Sequence, residues 1–257
     1  MADASFSLSE RFLSPVVRRY VALATRWPGL TAGALGIIAA LGFPPLHAWW
    51  IALPALALFV AHLRAAPDWK SATWRGWVFG WAHLTLANNW IATAFTHQAK
   101  MPEFLGWLAV PLLCIYLALY PALAALVAHF AARRAGPLAY GAVLAAAWII
   151  TEWLRSWVFT GYPWPPLGLM LLGDWKSAGL AASLPYLGTY GLSGAAVFIA
   201  GVLLWLSQAK RFWFAAIFAA LLSVRMIFPV IMISPPNEGV RYTLVQPLIL
   251  QDEINDA

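Results

Sequence analysis

Glu152 and Arg155 stand three residues apart inside a long apolar block. Ionisable groups in such a block are costly to bury and raise a functional hypothesis. A spacing of three puts them on one face of a helix. Two readings are open: a polar site facing the outer leaflet, or an internal ion pair holding the outer end of its own helix. Asn88 and Asn89 form a second polar pair in another block, where hydrogen bonding between helices is the commoner use. His62, His83 and His129 fall at no metal-ligand spacing, so no metal is expected. Cys114, the single cysteine, lies mid-block. It fits a small buried apolar residue better than a nucleophile, because a thiolate there would be desolvated. The chain carries no nucleophile–base motif, phosphate loop or metal signature, and no cofactor is expected.

The elements that must position these residues are membrane helices. Of 257 residues, 62% are hydrophobic and 10% charged, against roughly 45–50% and about 25% in a soluble domain. The excess comes in blocks of about 18–25 residues, the length that crosses a hydrocarbon core of about 30 Å. Many of the sixteen tryptophans lie at block ends, including Trp49, Trp50, Trp69, Trp74, Trp77, Trp107, Trp157 and Trp213. Amphipathic rings favour that interfacial level. The blocks predict an all-α polytopic transmembrane bundle of about seven spans. They cover residues 30–43, 48–63, 76–95, 104–132, 138–159, 190–206 and 212–233. Pro44-Pro45 ends the first, making a tight hairpin with the second. Gly76 and Gly80 are four apart, a small-residue pattern for close helix contact.

Charge sets the orientation. With the N-terminus inside, the cytoplasmic segments hold Arg11, Arg18, Arg19, Arg26, Arg64, Lys70, Arg75, Arg133, Arg134, Lys210 and Arg211, most of the sixteen basic residues. That is the positive-inside asymmetry, and it puts the C-terminus in the periplasm. The net charge of +6 is explained in this way, and no nucleic-acid partner is expected. Three regions follow: a basic cytoplasmic segment over 1–28, a transmembrane domain over 29–234 and a periplasmic tail over 235–257. Residues 160–188 are too rich in Pro, Gly and aromatics for a straight helix. They are either buried in protein, lining a wet cavity, or laid along the outer interface. In the tail, Val240–Gln246 alternates as a β-strand does.

An ordered set of motifs then becomes informative. Leu41-Gly42-Phe43-Pro44-Pro45 is followed by Gly76-Trp77-Val78-Phe79-Gly80, then Asn89-Trp90-Ile91. Glu152-Trp153-Leu154-Arg155 leads into Phe159-Thr160-Gly161-Tyr162-Pro163-Trp164, and Leu244-Val245-Gln246-Pro247 comes last. Over residues 28–247 this resembles the membrane-embedded N-terminal half of bacterial apolipoprotein N-acyltransferase. The resemblance implies a bacterial inner-membrane protein. It also implies transfer of an acyl chain from a membrane phospholipid to the α-amino group of a diacylglyceryl-modified lipoprotein. In that family a thioester forms on a cysteine, with a glutamate as base and a lysine at the oxyanion. All three belong to a nitrilase-like α/β domain. Val245-Gln246 resembles its first strand, and the chain departs from the family at Leu248-Ile249-Leu250-Gln251. The expectation is therefore a bundle ending in the first strand of an absent nitrilase-like domain, truncated and inactive alone, with no catalytic residue to carry over. A separately encoded nitrilase-like chain is an expected kind of partner. Trp164 matches a family loop tryptophan. With Tyr162, Glu152, Arg155, Asn89 and Trp90 it makes the substrate-side candidate set. The alternatives are a non-enzymatic lipid-binding scaffold or partner subunit, and a small-solute transporter, which the lack of an internal repeat disfavours.

Overall fold

The structure is a computed structural model that describes residues 22–98, 102–159, 161–175, 177–208 and 212–228. Among these, every regular element is helical. α1 spans Pro28–Ala40, α2 Trp49–Arg64, α3 Trp69–Ala87 and α4 Ile91–Gln98. α5 spans Glu103–Leu117, α6 Leu119–Ala132 and α7 Pro137–Trp157. Two 3₁₀ helices, Leu167–Leu171 and Gly179–Ser183, precede α8 (Leu184–Gln208) and α9 (Phe212–Ile227).

Local chemistry sets the helix ends. Proline stands in the first turn of both α1 and α7, where its missing amide costs nothing. Asp68 caps α3, its carboxylate accepting the Ser71 amide at 2.7 Å. A turn at Ala118 divides α5 from α6. Pro121 has no amide to give the Leu117 carbonyl, so the helical ladder loosens there. The apolar stretch nevertheless runs on from Phe104 to Ala132.

Six helices close a ring. α1 packs on α3, α3 on α6, α6 on α7, α7 on α8, α8 on α2, and α2 returns to α1. α5 lies against α3 outside this ring, with α4 on its flank. The ring encloses Phe59, Phe79, Tyr140, Leu144, Trp148 and Val197, all buried. The Phe59 and Phe79 rings stack at 3.7 Å between centroids, 13° from parallel. Small residues allow the close approaches. A Cβ on Gly76 would come within 2.6 Å of the Ala125 Cβ, and one on Gly80 within 2.6 Å of Pro121 Cγ. The spacing of these glycines thus marks the α3–α6 contact.

Among the described residues, three stretches are long and apolar enough to cross a membrane: Phe104–Ala132, Pro137–Trp157 and Gly179–Ser207. Pro28–Ala40, Trp49–Arg64 and Trp213–Ile227 are apolar but shorter. Gly188 (φ 67°, ψ 174°) takes the backbone out of the helix inside Leu184–Gln208, so the long continuous part of α8 begins just after it, close to the expected start at Tyr190. The alternating segment Val240–Gln246 lies outside the described residues.

Candidate functional site

Glu152 and Arg155 occupy the last turns of α7, each 3% exposed. Their side chains meet, with Arg155 Nη2 at 3.3 Å from Glu152 Oε1. The pair does more than neutralise itself. Arg155 Nη2 also donates to the carbonyls of Trp164 at 3.4 Å and Pro165 at 3.1 Å. Glu152 Oε1 accepts the Leu167 amide at 2.9 Å and the Trp148 indole N–H at 3.3 Å. Leu167 opens the first 3₁₀ helix, so the carboxylate caps an element fifteen residues further on. A buried charge needs this kind of satisfaction, since an unpaired one costs several kcal/mol. Of the two readings of the spacing, the internal pair describes the contacts, and it extends to the loop that follows.

That loop is packed into protein over part of its length. Leu167, Met170 and Leu171 are buried in the main core, and the Gly168 amide donates to Ser193 Oγ on α8 at 2.8 Å. Its other part is open. Tyr162 is 43% exposed, and its ring meets the Trp164 ring edge-on at 4.8 Å. The Trp164 amide donates to the Tyr162 carbonyl at 2.8 Å, which tightens the turn after Gly161 (φ 60°). Trp164 packs on a second, smaller core of Leu84, Ala92, Val110, Cys114 and Leu117.

Asn89 and Trp90 lie in the turn between α3 and α4, both exposed. The neighbouring Asn88 is fully buried and donates from Nδ2 to the Leu84 carbonyl at 2.8 Å. Asn89 lines an apolar recess of about 320 Å³ with Trp81, Thr85, Trp107, Val110 and Pro111. Val110 and Trp81 also belong to the small core under Trp164. The six candidates therefore form two groups. Glu152, Arg155, Tyr162 and Trp164 are joined by direct bonds or ring contact. Asn89 and Trp90 stand apart from them, and the shared small core connects the two groups.

Cys114 is fully buried, in the small core with Leu84, Ala92, Val110 and Leu117. Among the described residues, no group of three or more His, Cys, Asp and Glu could hold a metal. His83 is buried between aromatic rings, at 5.0 Å from Phe43 and 5.8 Å from Phe79.

Sequence reasoning passed over four tyrosine contacts. Tyr116 donates to the Val158 carbonyl at 3.3 Å, and its hydroxyl meets that of Tyr120 at 2.6 Å. Its ring also stands edge-on to Phe159 at 5.4 Å. Tyr190 donates to Ser156 Oγ at 2.8 Å. The Tyr116 hydroxyl ties the start of the aromatic loop to α5, and the Tyr190 hydroxyl ties the last turn of α7 to α8. Their spacing of four, Tyr116 to Tyr120, was the available signal.

Comparison with known proteins falls on the same residues. Residues 35–202 match the family model described as the apolipoprotein N-acyltransferase N-terminal domain. The chain is 30% identical to an apolipoprotein N-acyltransferase of Ralstonia nicotianae, over 88% of this chain and 43% of that protein. It is 34% identical to one of Nitrosomonas europaea, over 72% of this chain and 37% of the relative. A third, from Azotobacter vinelandii, is 35% identical over 72% of this chain and 35% of its own length. The chain thus spans less than half the length of these curated relatives.

Proposed function

The chain belongs to the apolipoprotein N-acyltransferase family, and from that membership we propose that its helices are the membrane part of an enzyme moving an acyl chain from phospholipid to the α-amino group of a diacylglyceryl-modified lipoprotein. In this reading the bundle is a multi-pass protein of the bacterial cytoplasmic membrane, N-terminus inside and C-terminus in the periplasm. Residues 29–234 are its transmembrane domain, flanked by the basic segment 1–28 and the tail 235–257. The acyl-transfer chemistry belongs to a nitrilase-like domain, and the helices supply the lipid side of the reaction.

One observation carries this assignment. The Glu152–Arg155 pair is spent on holding a loop, bonding Trp164 O, Pro165 O and Leu167 N. A buried ion pair is a costly way to hold a surface turn, and it suits a loop whose exposed edge must keep one shape. That edge is aromatic, Tyr162 against Trp164. It adjoins apolar side chains that an acyl chain can lie against without losing hydrogen bonds. Asn89, at the recess beyond the shared core, and the adjacent exposed Trp90 complete the substrate side.

The test is phospholipid binding by the purified protein in nanodiscs, compared between wild type and Trp164→Ala. Binding weakened by about tenfold or more, at a temperature where both proteins remain folded, supports the reading. Unchanged binding removes the loop from it. Acyl transfer to a diacylated lipopeptide then separates an enzyme's membrane part from a lipid-binding scaffold. A scaffold binds lipid and turns nothing over, even when a nitrilase-like domain is supplied.

A further inference from the structure

At the opposite end of the bundle from the aromatic loop, the start of α3 and the end of α6 enclose a recess of about 400 Å³. Arg133, Arg134, His129, Asp68, Trp69 and Phe130 line it. Both arginines are exposed, whereas His129 is buried. The Trp69 and Phe130 rings stack at 6.5 Å, and Lys70 lies over the Trp69 ring at 5.6 Å. A second feature starts at this recess. Phe130, Val127, Leu123 and Leu119 are exposed by 68%, 47%, 43% and 48%. Their spacings of three and four put them on one face of α6. From Leu119 to Phe130 that stripe is about 16 Å long at 1.5 Å per residue. One leaflet's hydrocarbon is roughly 15 Å thick, half of the whole core.

We propose that this recess and stripe bind one phospholipid of the leaflet at this end, an anionic one such as phosphatidylglycerol. Its phosphodiester lies against Arg133 and Arg134, and one acyl chain runs along Phe130, Val127, Leu123 and Leu119. Charge selects the occupant. Two guanidiniums face one carboxylate, leaving a net positive recess that a headgroup of charge −1 neutralises. Guanidinium is the preferred partner of phosphate oxygens. Asp68 spends one carboxylate oxygen on the Ser71 amide, and its other oxygen can accept from a glycerol hydroxyl. Trp69 stands at the interfacial level that indoles favour. The site lies away from the aromatic loop. It rests on the bundle being in a membrane, and the acyl-transfer reading plays no part in it.

Native mass spectrometry of the purified protein, equilibrated with equal amounts of phosphatidylglycerol and phosphatidylcholine, tests the site. The expected result is one phosphatidylglycerol retained in preference to phosphatidylcholine and not displaced by soluble glycerol phosphate. In the Arg133→Gln/Arg134→Gln variant, retention falls by about tenfold, the scale of a lost charge-assisted hydrogen bond. The Arg26→Gln variant, altered at a basic residue beside Trp27 on another helix, keeps it. Equal retention of the two lipids by the wild type overturns the proposal without any variant. Equal loss in Arg26→Gln overturns it too, since the effect is then the general surface charge. Displacement by glycerol phosphate makes the recess a soluble-anion site and overturns the lipid assignment. Acyl transfer is not the readout, so a negative result here leaves the family reading untouched.

Discussion

Glu152 on α7 accepts the backbone amide of Leu167, at 2.9 Å, with the same oxygen that faces Arg155. A single carboxylate thus caps a 3₁₀ helix and neutralises the guanidinium that bonds the preceding loop carbonyls. Removing either side chain alone leaves the other charged and buried. Arg155→Met and Glu152→Leu are each expected to cost about 3–5 kcal/mol, the range for breaking a buried pair. The double variant Glu152→Leu/Arg155→Met is expected to cost less than the two losses added, because no buried charge is left over. Unfolding temperatures of the four proteins in one detergent give the double-mutant cycle. A simple sum would mean that the two side chains act independently.

The exposed edge of the loop separates shape from stability. Tyr162 is 43% exposed, while Trp164 packs on the small core. Tyr162→Ala is expected to change stability by under about 1 kcal/mol, apart from the lost ring contact. Trp164→Ala removes a partly buried indole and is expected to cost about 1–3 kcal/mol. If the aromatic edge contacts lipid, phospholipid binding falls in both variants despite their different stability losses. Binding that tracks unfolding temperature across the two would assign the edge a packing role alone.

Parts of this arrangement were legible in the sequence, for reasons that particular residues make plain. Glu152 and Arg155 could be put on one helix face because a spacing of three allows little else. Gly76 and Gly80 pointed to a close helix contact, and α6 fills it with Ala125 and Pro121. What the ion pair holds was not legible. Its partners are the carbonyls of Trp164 and Pro165 and the amide of Leu167, and backbone groups leave no mark on residue type. The loop's position was open for the same reason: burial of Leu167, Met170 and Leu171 depends on which helices close around them. Tyr116 and Tyr120 read as two more aromatics in an apolar block until their hydroxyls are seen to meet. The start of the long part of α8 was legible, because Gly188 reads as a breaker and its backbone does leave the helix there.

Tyr116 supplies a direct test of how the loop is anchored. Its hydroxyl donates to the Val158 carbonyl and accepts from Tyr120. Tyr116→Phe keeps the ring against Phe159 but removes both bonds. The expected cost is about 1 kcal/mol, the net worth of a protein hydrogen bond, and it rises toward about 3 kcal/mol if the Tyr120 hydroxyl is left without a partner. Tyr116→Phe/Tyr120→Phe should then recover part of the loss. Backbone amide exchange around Val158, followed by mass spectrometry, should quicken in Tyr116→Phe. Unaltered exchange there would remove Tyr116 as an anchor.

Close packing of α7 on α8 makes an opposite pair of predictions for glycine. A Cβ added at Gly141 would lie 2.7 Å from the Gly201 Cα, and one at Gly201 would lie 2.8 Å from the Gly141 Cα. The obstruction is backbone on both sides, which no rotamer change relieves. Gly141→Ala and Gly201→Ala are each expected to push the helices apart and cost about 1–3 kcal/mol, the range for overpacking. Gly33 in α1 is different: its Cβ would meet Val78 Cγ1 at 3.4 Å, an ordinary contact with a side-chain tip. Gly33→Ala gains helix propensity worth up to about 1 kcal/mol and is expected to be neutral or stabilising. Unfolding temperatures in a common detergent should move down for the first two and not for the third. A loss of equal size in all three would mean that the α7–α8 contact is not the tight one, and that glycine is required for some other reason along these helices.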